Sequence, residues 1–130
     1  MQTDALWYVG NRRVERRAVD LSAPSADQVC VRALYSGLSR GTERLVFEGR
    51  VPASEYGRMR CPFQEGDFPF PVKYGYCAVG EVVAGAPMLI GRTVFALHHH
   101  QDRFVLPAMR VAATQPDLPP RRAILSANME

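Results

Sequence analysis

Three consecutive histidines, His98, His99 and His100, and three cysteines, Cys30, Cys61 and Cys77, are the side chains of this chain best suited to bind a metal or move a proton. On a strand, His98 and His100 would share a face while His99 points away, and Cys77 or Asp102 would be the residues to complete a metal site. Adjacent histidines nevertheless lack the spacing of known zinc motifs, and no CxxC pair occurs. The favoured reading is therefore strand-end or loop histidines without special function. General acid/base work ranks second and a metal site third. The cysteines read as free thiols, with Cys30 acting as a small hydrophobe in an apolar run.

The sequence has no GxGxxG and no GxxxxGK[ST]. Gly75, Gly80 and Gly85 recur every five residues, which suits a strand bounded by turns rather than a phosphate-binding loop. A chain of 130 residues with 47% hydrophobic and 22% charged residues is one soluble globular domain by composition. Its net charge is +3, but the basic residues are scattered, and Arg12, Arg13, Arg16 and Arg17 sit beside Glu15 and Asp20. A solvated strand face is expected there and no nucleic-acid partner. No apolar run is long enough to cross a bilayer and the start is unlike a secretory signal, so no membrane partner and a cytoplasmic location are expected.

These residues need a scaffold, and the pattern gives mainly short strands. Residues 3–9 and 12–21 read as a hairpin turning at Gly10-Asn11, 22–27 as a loop, and 28–35 as a core strand. Residues 37–40 read as a turn and 41–47 as a short helix with Leu45 and Val46 inward. Pro52, Pro62, Pro69 and Pro71 break residues 48–73 into a long irregular excursion, of the kind that serves as a lid or mobile segment. Strands are expected again at 75–84, 92–97 and 103–106. This is the pattern of a small barrel or sandwich and not of a βαβ fold. Asp117 is expected to cap a helix with Pro119-Pro120 in its first turn. The chain stops inside that helix without a glycine or C-cap, so it is expected to be a fragment.

Two stretches carry a resemblance. Gly37-Leu38-Ser39-Arg40 resembles the strand-ending Gly-hydrophobic-Cys-x turn of the medium-chain dehydrogenase/reductase superfamily. The run Val72-Lys73-Tyr74-Gly75-Tyr76-Cys77-Ala78-Val79-Gly80-Glu81-Val82 resembles its Pro-x-x-Pro-Gly-His-Glu-x-x-Gly-x-Val segment. Gly91-Arg92-Thr93-Val94-Phe95 and Arg103-Phe104-Val105-Leu106-Pro107-Ala108 are similar to two further segments of that family, in the same order. The Ser-Gly-hydrophobic-Ser-x-Gly-Thr-Glu pattern also resembles the subgroup that includes bacteriochlorophyllide hydroxyethyl dehydrogenases. The resemblance implies a mainly β, GroES-like, partly open barrel with short helices over residues 1–116. It further implies that residues 117–130 begin a helix leading to a cofactor-binding Rossmann domain absent from this chain.

The departures bear on mechanism. The family's zinc-ligand cysteine falls on Ser39 and its His-Glu pair on Tyr76-Cys77, so zinc is not expected. The resemblance then implies a zinc-independent, NAD(P)-dependent oxidoreductase acting on a small alcohol or carbonyl substrate, and possible homodimers. Ser39, Thr42 and Tyr76 would be its catalytic hydroxyls, and Arg40 would reach the cofactor pyrophosphate. The bland alternatives stay open: Ser39 and Thr42 satisfying turn and cap groups, Tyr76 packing on the barrel, Arg40 a surface arginine, Glu43 a local cap. As it stands the chain is expected to be inactive. The alternative function is a free-standing GroES-like binding or assembly module, docking a partner through Phe63, Phe68 and Phe70.

Overall fold

The computed structural model describes residues 1–125; the part of the expected last helix at 126–130 lies outside the described residues. Strands β1 (Gln2–Gly10) and β2 (Arg13–Asp20) form the expected hairpin, in register from Gln2 opposite Asp20 to Tyr8 opposite Val14. β2 is the solvated face that its charges require. Arg16 pairs with Asp4 at 3.4 Å, Arg17 with Glu15 at 3.2 Å, and Arg12 of the turn with Glu48 at 2.8 Å.

β3 (Gln28–Ser36) is the central strand. It pairs antiparallel with β6 (Ala78–Gly85) on one side and with β8 (Arg103–Pro107) on the other. β7 (Thr93–Ala96) and β9 (Val111–Ala113) complete a five-stranded sheet of order β8-β3-β6-β7-β9. β1 and β2 join two short strands, β4 (Glu65–Gly66) and β5 (Val72–Lys73), in a second sheet of order β2-β1-β5-β4. The sheets meet where Leu6 N–H donates to the His100 carbonyl at 3.0 Å and Asp102 N–H donates to the Asp4 carbonyl at 3.0 Å. With α1 (Thr42–Phe47) and α2 (Pro120–Ala123), the result is the expected mainly β, GroES-like, partly open barrel with short helices.

Two apolar clusters hold it. Val29, Val31, Val82, Val94, Phe104 and Leu106 fill the five-stranded sheet, and each is at most 1% exposed. Full burial of such a side chain contributes about 1.5–3 kcal/mol. Tyr8, Val46, Val51, Phe68, Val72 and Tyr74 form the second cluster. The proline-broken excursion therefore supplies Val51, Cys61 and Phe68 to a core. It holds only a single helical turn (Ala53–Glu55) and the two-residue β4 and β5, as the prolines dictate.

One sequence expectation is corrected. α2 starts at Pro120 behind Pro119, with no side-chain cap from Asp117. Pro120 forces the residue before it to be extended, and Pro119 has φ −58° and ψ 134°, so the helix cannot begin close enough for Asp117 to cap it. The histidine run lies in the connection from β7 to β8, the loop placement favoured for it. β9 was not read in the sequence because three residues are too few to show a period.

The β3–β6 pairing sets a sharp steric limit at Gly80, where a Cβ would lie 2.6 Å from Val31 Cγ1 and 2.9 Å from the Arg32 carbonyl carbon. Gly80→Ala is expected to destabilise the fold by about 1–3 kcal/mol in urea unfolding. Gly57→Ala, where a Cβ meets nothing within 4 Å, should stay within about 0.5 kcal/mol of wild type. Equal stabilities for the two variants would refute this account of the sheet.

Candidate functional site

β3 ends at Ser36, and the chain turns through Gly37, Leu38 and Ser39 into α1. The Gly37 N–H donates to the Cys77 carbonyl at 2.8 Å, which fixes this turn against the segment carrying Tyr76 and Cys77. Ser39 and Glu43 then cap one another. Ser39 Oγ accepts the Thr42 N–H at 3.3 Å, and Glu43 Oε2 accepts the Ser39 N–H at 2.6 Å. This reciprocal arrangement satisfies orphan donors at the helix start.

Glu43 is 3% exposed, so its carboxylate needs partners. Besides the Ser39 N–H, its Oε1 accepts the Tyr8 hydroxyl at 3.1 Å and lies 2.5 Å from His100 Nε2. The other ring nitrogen of His100 lies 2.7 Å from Ser36 Oγ. Burial first, then the charge and hydrogen bond of Glu43, hold the Tyr8 phenol well above its ordinary range, as a donor. Gly75 makes room for the pair: a Cβ there would lie 2.9 Å from His100 Nε2 and 3.1 Å from His99 Cα.

Two clefts open on either side of the Leu38–Ser39–Arg40 turn. A space of about 190 Å³ is bounded by Ser39, Arg40, Tyr76 and Cys77, with Ile124 and Leu125 closing one side. The other, about 380 Å³ and mostly apolar, is walled by Leu6, Tyr8, Val14 and Phe47 with Glu43 among its lining. The structure thus brings together Ser39, Arg40 and Tyr76. Thr42 lines neither cleft; its backbone N–H donates to Ser39 Oγ. Tyr76 stands edge-on to Tyr74, with ring centroids 6.4 Å apart.

The donor set does not suit a tetrahedral zinc. Ser39 and Tyr76 offer hydroxyls where thiolate and imidazole would be needed, and Cys77 Sγ is turned to the Ile124 carbonyl at 2.7 Å. Burial first raises the Cys77 thiol above its usual range, further from thiolate. Among the described residues, no group of three His, Cys, Asp or Glu side chains is placed to hold a metal.

The histidines diverge and do not share a face. His98 stacks on Phe104 at 4.0 Å between ring centroids, its Nδ1 3.0 Å from the His99 carbonyl. His99 is 2% exposed and its Nδ1 has no partner. His100 belongs to the Glu43 network. Sequence reasoning missed that network, because Tyr8 is 35 residues from Glu43, Ser36 is 64 from His100 and His100 is 57 from Glu43. It also missed Lys73, which is 1% exposed, ion-paired with Glu65 and donating to Gln101 Oε1 at 3.1 Å.

Comparison of the sequence and fold with known proteins points to a family. The chain is 33% identical over 87 residues to the 2-desacetyl-2-hydroxyethyl bacteriochlorophyllide A dehydrogenase of Cereibacter sphaeroides, an alignment covering 67% of this chain and 24% of that protein. It superposes on a quinone oxidoreductase from Pseudomonas syringae with TM-score 0.64 and 20% identity, covering 94% of this chain and 36% of that one. The chain belongs to the medium-chain dehydrogenase/reductase superfamily. A protein described as a short chain alcohol dehydrogenase from E. coli CFT073, solved with NADH, shares the fold with TM-score 0.67 and 12% identity, covering 95% of this chain and 42% of that one. The chain spans about a quarter of the length of the curated relatives it matches. No family model matches it. Among the described residues no helix is long and apolar enough to cross a membrane.

The buried histidines give a pH prediction. Burial first pushes His98 down to about 4 and His99 to about 2, from an ordinary value of 6.5. Both are neutral when folded, whereas the unfolded chain protonates them below 6.5. Stability is therefore independent of these two groups at high pH and falls as pH drops below 6.5. The loss is up to about 1.4 kcal/mol per pH unit for each histidine. Urea unfolding at pH 7 and pH 5 should show it, and His98→Phe, which keeps the stack on Phe104, should reduce the slope by about half. A flat profile would exclude buried neutral histidines.

Proposed function

We propose that this barrel is the substrate side of a zinc-independent, NAD(P)-dependent oxidoreductase that transfers a hydride between the nicotinamide and a small alcohol or carbonyl compound. The observation that carries the reading is the convergence of Ser39, Arg40 and Tyr76 on one cleft at the end of β3. The superfamily relationship supports the chemistry, and the relative from Cereibacter sphaeroides is itself a dehydrogenase.

In this reading residues 1–116 form the catalytic barrel, and the helix begun after Leu118 leads toward a nicotinamide-binding domain. The Ser39 and Tyr76 hydroxyls donate hydrogen bonds to the substrate oxygen, in the place a Lewis-acidic metal takes in zinc-dependent members. Thr42 acts through the turn, since its N–H anchors Ser39 Oγ. Glu43 holds the Ser39 backbone and thereby the hydroxyl's position. Arg40 is exposed at the cleft edge, where a guanidinium can meet a pyrophosphate. The nicotinamide, held by the second domain, accepts or donates the hydride. With no second domain the barrel alone is inactive, and a cytoplasmic location fits a nicotinamide enzyme of this kind. The docking-module alternative is less favoured, because Phe68 is buried and Phe70 half-buried, leaving Phe63 alone at the surface.

The test is hydride transfer by the polypeptide joining this barrel to a nicotinamide-binding domain, assayed against alcohols and carbonyl compounds. Ser39→Ala and Tyr76→Phe should each lower kcat/KM on the order of a hundredfold, with the melting temperature nearly unchanged in Tyr76→Phe and lowered by a few degrees in Ser39→Ala, which loses the bond to the Thr42 N–H. Elemental analysis should find well under one zinc per chain, with activity unchanged by chelator. Stoichiometric zinc, or full activity in both variants, overturns the proposal.

A further inference from the structure

Ser36 closes a second polar constellation, of which the hydride-transfer reading uses only Glu43, to hold the Ser39 amide. β8 pairs with β3 only from Gln28 to Arg32, so beyond Arg32 the edge of β3 is left facing a hollow. That hollow is about 250 Å³ and its lining includes Asp4, Arg16, Tyr35, Ser36, His100 and Asp102. The Ser36 side chain is exposed there, while its partner His100 is 8% exposed and Glu43, behind it, 3%. A network serving only to satisfy buried polar groups has no need of an exposed terminus. This one runs outward, from a buried carboxylate through an imidazole to a solvent-facing hydroxyl.

The distances are those of an activated nucleophile. Ser36 Oγ is 2.7 Å from His100 Nδ1, and His100 Nε2 is 2.5 Å from Glu43 Oε1. The carboxylate is fixed by the Tyr8 hydroxyl and the Ser39 N–H. The imidazole is fixed from behind by Gly75 and through its backbone, where the His100 carbonyl accepts the Leu6 N–H at 3.0 Å.

We propose that Ser36, His100 and Glu43 form a nucleophile–base–carboxylate triad that hydrolyses short-chain carboxylic esters by acyl transfer. With Nε2–H donated to the carboxylate, the Nδ1 lone pair faces the Ser36 O–H. Ser36 Oγ attacks the ester carbonyl carbon as its proton passes to Nδ1. The bond to the leaving oxygen breaks, and the departing alcohol takes that proton. Water then attacks the acyl-serine, giving its proton to Nδ1, and Ser36 recovers that proton as the carboxylic acid leaves. The sum is ester plus water to alcohol plus acid, with no oxidant or cofactor. Arg16, which lines the same hollow, is the cation that the transient oxyanion would meet.

The 130-residue chain is incubated with p-nitrophenyl acetate and, separately, with an alkyl fluorophosphonate, and the modified residue is located by mass spectrometry. One adduct per chain is expected, on Ser36. Ser36→Ala should abolish it in a chain shown by circular dichroism to be folded, with some loss of melting temperature because His100 Nδ1 loses its partner. His100→Gln should slow labelling at least about a hundredfold and remove the pH dependence of the rate. Ser36→Cys should restore labelling by an alkylating reagent and keep the dependence on His100, which guards against reading a misfolded variant as a catalytic loss. Labelling of another residue, a rate no faster than a free serine amide, or an unchanged rate in a folded His100→Gln chain would each overturn the proposal. No nicotinamide enters the experiment, so its outcome is independent of the hydride-transfer reading.

Discussion

A carboxylate at 3% exposure is the constraint around which this barrel is arranged. Taking Glu43 out of water costs several kcal/mol unless its oxygens are satisfied. The chain satisfies them with groups from three separate places: Tyr8 of β1, the Ser39 amide at the start of α1, and His100 between β7 and β8. Those segments cannot drift apart without stranding the carboxylate. The same bonds therefore define the turn carrying Ser39, seat α1 against β1, and lock the crossover that joins the two sheets.

The second constraint is the close antiparallel contact of β3 with β6, which leaves no room for a side chain at Gly80. It places Ser36 opposite Ala78, so the end of β3 arrives beside Tyr76 and Cys77. Bonds at the strand ends extend that alignment: Gly37 N–H to the Cys77 carbonyl, and Cys77 Sγ to the Ile124 carbonyl. The cleft between Ser39, Arg40 and Tyr76 is the space this alignment leaves. Its lining carries the Ser39 and Tyr76 hydroxyls and the Cys77 thiol, whose Sγ is turned to the Ile124 carbonyl.

Much of the scaffold was legible. The hairpin of β1 and β2, the core strand β3, α1 and the strands β6, β7 and β8 all carry either alternation or turn signals, and those are local properties. Proline explains both a success and a miss. The four prolines of residues 48–73 marked the irregular excursion correctly, whereas Pro120 excluded Asp117 from the cap that composition suggested. The burial of Phe68 and Val51 in that excursion was not legible, because core membership of an aperiodic segment depends on what packs against it.

The sequence by itself determined the class of the protein. Strand periodicity, turn residues and the ordered superfamily motifs are short-range patterns, readable residue by residue, and they led to the barrel and to Ser39, Arg40 and Tyr76. The resemblance also sets a serine and a tyrosine, Ser39 and Tyr76, where it implies zinc ligands in the family. What tertiary structure decided was the company each polar side chain keeps. Three adjacent histidines, identical in sequence terms, became a ring stacked on Phe104, a neutral buried ring without a partner, and a base held between Glu43 and Ser36. No spacing rule separates them. Hydrogen bonds and desolvation act through space over a few ångströms, while the groups involved lie 57 and 64 residues apart along the chain.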